Sequence, residues 1–209
     1  LSVGYPPAIT QWLAGKEIDQ LNELNAIAPI PPLWRDSALK DMLFPEVLAD
    51  ISQKGEPAVL PVGIHIQNTA FYNAAIYHQL NLTPPSSWSE FFQQAERIRD
   101  AGYSAIALSD EPWQLRMLFN AILMEKLGVD GFNDFYDENK SVAAMKAPLT
   151  EAIDTLLRLK PFADKQHVGR TWSDTTKQII DGKAAMQVMG DFAKGEMTAA
   201  GKIPGKDFL

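Results

Sequence analysis

Residues 181–192 read Asp-Gly-Lys-Ala-Ala-Met-Gln-Val-Met-Gly-Asp-Phe, an apolar run enclosed by two glycine-containing turns. The run at residues 184–189 is short and bounded by turn residues, which predicts a buried strand. A helix predicted over about 173–181 ends at Gly182, and a last helix is predicted over about 192–200. A strand placed between two helices is typical of an α/β protein.

Outward from this stretch, the chain alternates helices with short strands and shows no repeat of fixed period. Apolar residues at helical spacing predict the helices, and apolar, partly β-branched runs between turns predict the strands. Pro45 divides the helical region 36–52 into two pieces, and the helix that begins at Pro112 is predicted to stop at Gly128. The predicted strands cover 58–64, 69–73 and 103–108, and the other predicted helices cover 16–28, 88–101, 112–127 and 149–160.

Several helices carry signals for their ends and their buried faces. Ser87 followed by Glu90 has the spacing of a capping box, in which each side chain bonds to the backbone N–H of the other residue. Asp110 or Glu111 is the candidate cap of the helix that begins at Pro112. One face of the helix after Ser87 carries Trp88, Phe91, Phe92, Ala95 and Ile98, and the helix over 149–160 is predicted through Ile153, Leu156 and Leu157.

The composition excludes several classes of function. The 209 residues carry a net charge of −7 with scattered basic residues, whereas binding to nucleic acid or to anionic membranes requires clustered Lys and Arg. The absence of cysteine excludes disulfides and thiolate metal ligands. No apolar stretch approaches the ~18 residues of a membrane-spanning helix. With 46% hydrophobic and 22% charged residues, the chain has the composition of a globular protein with a sizeable core.

The sequence offers no strong catalytic, cofactor or metal motif. A P-loop, a GxGxxG fingerprint, a calcium loop and a Gly-x-Ser-x-Gly elbow are all absent. His65, His78 and His167 are far apart in the chain and form none of the usual metal-ligand pairs. We therefore predict neither a cofactor nor a metal, and a chain that performs no catalysis.

Five landmarks follow one another along nearly the whole chain. They are Pro6-Pro7 with Gln11, Val62–Asn73, Leu82–Phe91, Ala107–Trp113, and Gly169–Trp172 with the 181–192 stretch. Their order and spacing together resemble the extracytoplasmic sugar-binding proteins of ABC importers, in particular the glucose and mannose binders. The resemblance implies a two-lobed α/β fold like that of the type II periplasmic binding proteins, present here as a truncated, helix-rich piece.

The resemblance also implies how the chain is divided and what it does. Residues 1–65 would be an incomplete remnant of lobe one, and residues 66–209 the main segment of lobe two. The whole protein would hold a monosaccharide, a hexose, in the cleft between the lobes and deliver it to the permease subunits of the importer from the periplasm. The opening Leu-Ser-Val-Gly-Tyr-Pro-Pro lacks the basic start and apolar core of a signal peptide, so we expect the chain to be a fragment.

A sugar site needs aromatic plates for the C–H faces and fixed polar groups for the hydroxyls. Asp191 follows the apolar strand, and the resemblance matches it to an Asp that binds sugar hydroxyls; it also fits the N-cap of the last helix. The resemblance places Trp113 and Trp172 near the sugar as well, although Trp113 also fits packing under the lobe surface and Trp172 a helix-entry staple. Phe192 stands where many family members carry Trp.

Three further candidates come from the resemblance. Gln11 matches a family Gln that reaches the pocket from lobe one. Leu13, close to it, falls where a glucose-binding relative carries a polar ligand residue, so the identity of the sugar stays open. His65 and Asn68 lie on the segment that crosses between the lobes, where His65 also fits a satisfied histidine at the hinge.

Two other functions stay open. A glycoside hydrolase fragment could use Asp191 with Asp110 or Glu111, since a hydrolase needs two carboxyl groups flanking one bond. A structural or adaptor domain would bind no sugar. Because part of lobe one and of its pocket would be missing, we expect this fragment to bind sugar weakly or not at all. We also expect it to associate with itself through an uncovered apolar face.

Overall fold

The computed structural model describes residues 7–28, 30–35, 38–53, 55–137, 139–166 and 168–209, without the side chains of residues 16, 31, 32 and 53. Pro6, one of the sequence landmarks, and His167 lie outside the described residues. The chain forms two compact units, Leu1–Ile64 and His65–Leu209. Within the described ranges, no helix is both long and apolar enough to cross a bilayer.

The first unit consists of short helices and one small hairpin. Its elements are α1 (Lys16–Glu23), α2 (Pro31–Arg35), α3 (Leu39–Met42), α4 (Pro45–Ile51), β1 (Ser52–Gln53) and β2 (Glu56–Pro57). β1 pairs antiparallel with β2, and the buried core includes Ile18, Leu21, Trp34 and Ile51. Pro45 divides the helical region as predicted, because it begins α4 at a position where its missing N–H costs nothing.

The prediction of a strand over residues 58–64 is wrong. All seven residues are described, none belongs to a β-ladder, and Leu60, Val62 and Ile64 are exposed. An apolar, β-branched run forms a strand only where a neighbouring strand offers N–H and C=O partners. Pro61 also lacks an N–H, which weakens the run further as a member of a ladder.

The second unit is built on a three-stranded sheet. Its strands are β3 (Thr69–Tyr72), β4 (Ser104–Ile106) and β5 (Ala184–Met189), in the order β3-β5-β4. β5 runs antiparallel to β3, with Thr69 opposite Met189, and parallel to β4. All six residues of β5 are buried, as predicted from its apolar run.

Helices pack around this sheet and give the second unit its core. They are α5 (Ala74–Gln79), α6 (Trp88–Asp100), α7 (Pro112–Tyr136), α8 (Lys146–Leu159), α9 (Trp172–Ile180) and α10 (Ala193–Ala199), with 3₁₀ turns at Val142–Met145 and Lys160–Phe162. One apolar cluster joins β5 to α6, α7 and α8, and a second joins it to α9 and α10. The predicted helix-rich α/β class is therefore confirmed.

The long helix α7 corrects the prediction that Gly128 ends it. Gly128 does leave the helical conformation, with φ 67° and ψ −178°, but the helix resumes and continues to Tyr136. A glycine adopts this positive φ without steric cost, so the result is a kink in the helix. Gly128 therefore interrupts α7 without ending it.

The buried face of α8 includes small and polar residues. Ile153 and Leu157 are exposed, whereas Ala152, Thr155 and Leu159 are buried. The Thr155 hydroxyl donates to the Glu151 carbonyl (2.7 Å), so burying it leaves no polar group unsatisfied. The face that packs inward is set by the neighbouring helix α7, and a small residue such as Ala152 allows close packing.

The starts of α6 and α9 show two forms of helix capping. The Ser87 hydroxyl oxygen accepts a hydrogen bond from the Glu90 N–H (3.2 Å), as predicted. The Glu90 carboxylate instead accepts from the N–H (2.7 Å) and the hydroxyl (2.9 Å) of Ser86, so the predicted capping box is only half formed. A complete capping box begins α9, where Thr171 and Asp174 bond reciprocally.

Candidate ligand-binding site

The turn after β5 lies beside the segment that opens the second unit. β5 ends at Met189, and the backbone N–H of Asp191 donates to the carbonyl of Ile66 (2.9 Å). This bond holds the turn after the central strand against the residues next to His65. Two of the predicted site residues, 126 positions apart in the sequence, are thereby brought together.

His65 and Asp191 form a hydrogen-bonded pair at the surface. Nδ1 of His65 lies 2.8 Å from Oδ1 of Asp191, so the ring N–H donates to the carboxylate. This bond is the largest cause holding the pKa of Asp191 below its ordinary value, and the backbone N–H groups of Ile66 and Phe192 act in the same direction. Both side chains keep about half of their surface exposed, at 51% and 40%. The pair is therefore open to solvent and to a solute.

The N-cap role considered for Asp191 is not observed. Phe192 occupies the N-cap position of α10 and makes no side-chain capping bond. The Asp191 carboxylate is held by His65 instead. A carboxylate that does not cap its helix is available for another use.

Three aromatic side chains pack beside this pair, with Phe192 at the centre. The Phe192 ring centroid lies 5.0 Å from that of Trp172, 5.6 Å from that of His65 and 6.5 Å from that of Trp113. The planes of Trp172 and His65 stand nearly perpendicular to the phenyl ring, at 85° and 82°, an edge-to-face geometry that aromatic pairs favour. Both tryptophans are half-buried. The cluster thus combines rigid packing with partly exposed aromatic surface.

Gly190 makes room for the Phe192 ring. A Cβ at this position would lie 2.2 Å from Cε1 of Phe192 and within 3 Å of two more ring atoms. No residue with a side chain fits there while the ring keeps its place. In the sequence, Gly190 indicates only a turn, and this packing role has no signal there.

Glu111 occupies the predicted N-cap position of α7, but its side chain makes no capping bond there. The Glu111 carboxylate accepts from the N–H of Trp172 (2.7 Å), and the Asp110 carboxylate accepts from the N–H of Gly169 (2.9 Å). Both reach across to the segment that leads into α9. The start of α7, which carries Trp113, is in this way joined to the start of α9, which carries Trp172.

Asn68 and Gln11 are the remaining candidates. Asn68 is exposed and lines a separate cavity of about 270 Å³ with Tyr72, Ser87, Trp88 and Glu125 among others. Gln11 belongs to the first unit, where its side chain is exposed. Trp88 is core, as predicted. Across the ranges that the structure describes, no three His, Cys, Asp or Glu residues are grouped as metal ligands would be.

The chain matches one protein family and several named relatives. The family profile for bacterial extracellular solute-binding proteins matches residues 4–208. A probable sugar-binding periplasmic protein of Brucella melitensis is 32% identical over 209 residues, covering 100% of this chain and 49% of the relative. One of the same name from Rhizobium meliloti is 30% identical over 170 residues, covering 81% of this chain and 41% of the relative.

Solved structures agree on the fold. A chitin oligosaccharide binding protein superposes with a TM-score of 0.78 at 20% identity, covering 93% of this chain and 48% of that one. The chain spans about half the length of the curated relatives it matches. The predicted fold, a piece of a periplasmic-binding-protein fold, is confirmed. Because the family profile matches nearly the whole sequence, this chain belongs to the bacterial extracellular solute-binding proteins.

Proposed function

We propose that this chain supplies one side of the carbohydrate-binding site of an ABC-importer solute-binding protein. The observation that carries the proposal is the half-exposed His65–Asp191 pair next to the rings of Trp113, Trp172 and Phe192. The names of the relatives, which are sugar-binding proteins, support the class of ligand. We take the ligand to be a monosaccharide, a hexose.

The chemistry of the site suits a sugar. A pyranose presents apolar C–H groups on its faces and hydroxyls at its rim. Tryptophan rings contact the former, while an ionised carboxylate accepts hydrogen bonds from the latter. Because its pKa lies below the ordinary value, the Asp191 carboxyl stays ionised at neutral pH, which suits it to accept hydroxyl bonds.

We further propose how the chain works within the whole protein. Residues 66–209 would serve as the main segment of lobe two and residues 1–65 as an incomplete remnant of lobe one, with Gln11 and Asn68 reaching the ligand once the lobes close. The loaded protein would then dock on the permease subunits at the outer face of the membrane. Energy for transport would come from the partner ATPase, and this chain would perform no chemistry.

Two observations speak against a glycoside hydrolase. The carboxylates of Asp110 and Glu111, which a hydrolase would pair with Asp191, each accept a backbone N–H from the segment leading into α9. The curated relatives are named as sugar-binding proteins. We therefore expect no turnover of aryl glycosides by this chain.

Saturation-transfer NMR with the 209-residue chain tests the binding function. Glucose, mannose, galactose, xylose and a chito-oligosaccharide are offered at millimolar concentration, with leucine as a matched non-carbohydrate solute. We expect transfer to the ring C–H protons of at least one hexose, with a dissociation constant in the millimolar range, because this site contacts a ligand from one side only. Absence of transfer from a folded chain to every sugar would contradict the proposal. A submicromolar constant would contradict the one-sided site.

We also propose that the chain associates with itself through the exposed apolar segment of the first unit. Leu60, Val62 and Ile64 alternate along this segment and are 44%, 78% and 55% exposed. Contiguous apolar surface of this kind favours association. Sedimentation should show a mass that rises with concentration for the natural chain and a lower mass for Val62→Lys. A monomer at every concentration would refute the proposed contact.

A further inference from the structure

A cluster of buried polar side chains lies beneath the aromatic site, and the proposed function makes no use of it. Each member is no more than 1% exposed, although the surrounding core is apolar. Buried polar groups persist where hydrogen bonds satisfy them, so the bonds of this cluster indicate what it holds. Its members are Ser109, Gln114, Thr175, Thr176 and Gln187.

The two threonines anchor the carbonyl of Trp172. The hydroxyls of Thr175 and Thr176 both donate to the Trp172 carbonyl, at 2.7 and 3.1 Å. With their protons committed, these hydroxyls can only accept further bonds. They do so from the amide nitrogen of Gln187, at 2.8 and 3.1 Å, and Thr175 accepts a second bond from the amide nitrogen of Gln114 at 3.2 Å. The amide of Gln187 is therefore fixed in one orientation.

The bonds continue from Gln114 and return to Trp172. The amide oxygen of Gln114 accepts from the hydroxyl of Ser109, whose oxygen accepts from the N–H of Glu111 (3.3 Å). The Glu111 carboxylate in turn accepts from the N–H of Trp172 (2.7 Å). The chain of bonds thus leaves from the Trp172 carbonyl and returns to the Trp172 N–H.

This closed ring joins the two helix starts that carry the tryptophans. Gln114 follows Trp113 in the first turn of α7, and Thr175 and Trp172 belong to the first turn of α9. The start of α9 already has its own capping box, so helix formation does not require the ring. What the ring fixes is the placement of one helix start relative to the other.

We propose that Gln114, Thr175 and Gln187 are positioning residues that fix Trp113 and Trp172 in the geometry needed to contact a carbohydrate. This inference rests on the proposed function for its ligand, but the placement of the rings is a separate claim. Because the three side chains are buried, they would act on affinity without touching the ligand. Removing one partner leaves buried donors unsatisfied, and the two helix starts relax until those donors are satisfied.

The test compares Thr175→Val, which removes the hydroxyl at nearly constant volume, with Thr175→Ser, which keeps it. The matched control is Thr155→Val, since Thr155 is also buried and donates to a carbonyl of its own helix, α8. Each variant is measured by near-ultraviolet circular dichroism of tryptophan, by thermal unfolding and by saturation-transfer NMR with the hexose that gives the strongest transfer.

We expect Thr175→Val to change the tryptophan dichroism and to weaken hexose binding about tenfold or more, a factor that corresponds to ~1.4 kcal/mol. Thr175→Ser should restore both, and Thr155→Val should lower only the melting temperature.

If Thr175→Val merely lowers the melting temperature and keeps the natural dichroism, the ring has a structural role and the proposal fails. If no sugar binds to the natural chain, the proposed binding function is refuted. The tryptophan dichroism of the variants then still tests whether the buried residues fix the positions of Trp113 and Trp172. Should Thr175→Val not fold, Gln114→Met replaces it, with the same expected and contrary results.

Discussion

Gly190→Ala is expected to displace the Phe192 ring and to lower the free energy of unfolding by about 1–3 kcal/mol, the usual cost of overpacking a buried position. The new methyl group would lie 2.2 Å from Cε1 of Phe192, far inside contact distance. The ring could leave only by abandoning its packing against Trp172 and His65. The substitution therefore disturbs the centre of the aromatic cluster as well as overall stability.

Urea unfolding and near-ultraviolet circular dichroism measure these two effects. Gly195→Ala is the matched control, because Gly195 lies in α10 and a Cβ there would meet no atom within 4 Å. In a helix interior, alanine is favoured over glycine by up to about 1 kcal/mol, so the control should be neutral or more stable. If Gly190→Ala matched the control in both measurements, the packing role of Gly190 would be disproved.

The core of the second unit could be predicted from local sequence signals. The apolar run at 184–189 and the glycines that flank it predict the central strand, and the face of α6 that carries Phe91 is buried as expected. These elements are predictable because each is apolar along a full strand or on one face of a helix. Such a pattern has one way to be buried.

Elements that depend on a partner were predicted poorly. Residues 58–64 have the composition of a strand, but no neighbour completes a ladder. In α8, the packing against α7 buries Ala152 and leaves Leu157 exposed. Asp191 fits a helix cap by its position in the sequence, yet His65 takes its carboxylate. In each case a contact made by tertiary structure decided between two locally acceptable arrangements.

The residues of the candidate site could be named from the sequence, but only some of their contacts could be predicted. Asp191, His65, Trp113 and Trp172 were chosen from residue type and resemblance, and the fold brings these four together. The buried ring beneath them was missed. The one indication of it in the sequence was Gln187, a polar residue inside an otherwise apolar strand. A single polar residue of this kind does not by itself predict a buried hydrogen-bonded cluster.

Asp191→Asn is expected to weaken hexose binding about tenfold or more while leaving the fold intact. Hydrogen bonds to an ionised carboxylate are stronger than those to a neutral amide, so removing the charge at constant shape weakens the contact with a sugar hydroxyl. The pKa of Asp191 lies below its ordinary value, which means that the natural chain keeps the charge throughout the neutral range. Within that range the loss should therefore not depend on the protonation of Asp191 itself.

The matched control is Asp181→Asn, which alters a carboxylate at the other end of β5. Asp181 bonds to Lys177 (3.0 Å), and its pKa is likewise held below the ordinary value, chiefly by that bond. Saturation-transfer titrations of both variants separate a general effect of charge from a local one. If the two substitutions weaken binding equally, the ligand is attracted by the charge of the whole surface, and Asp191 makes no specific contact with it. If only Asp191→Asn does so, the loss is local to the His65–Asp191 pair, because the two variants change the net charge by the same amount.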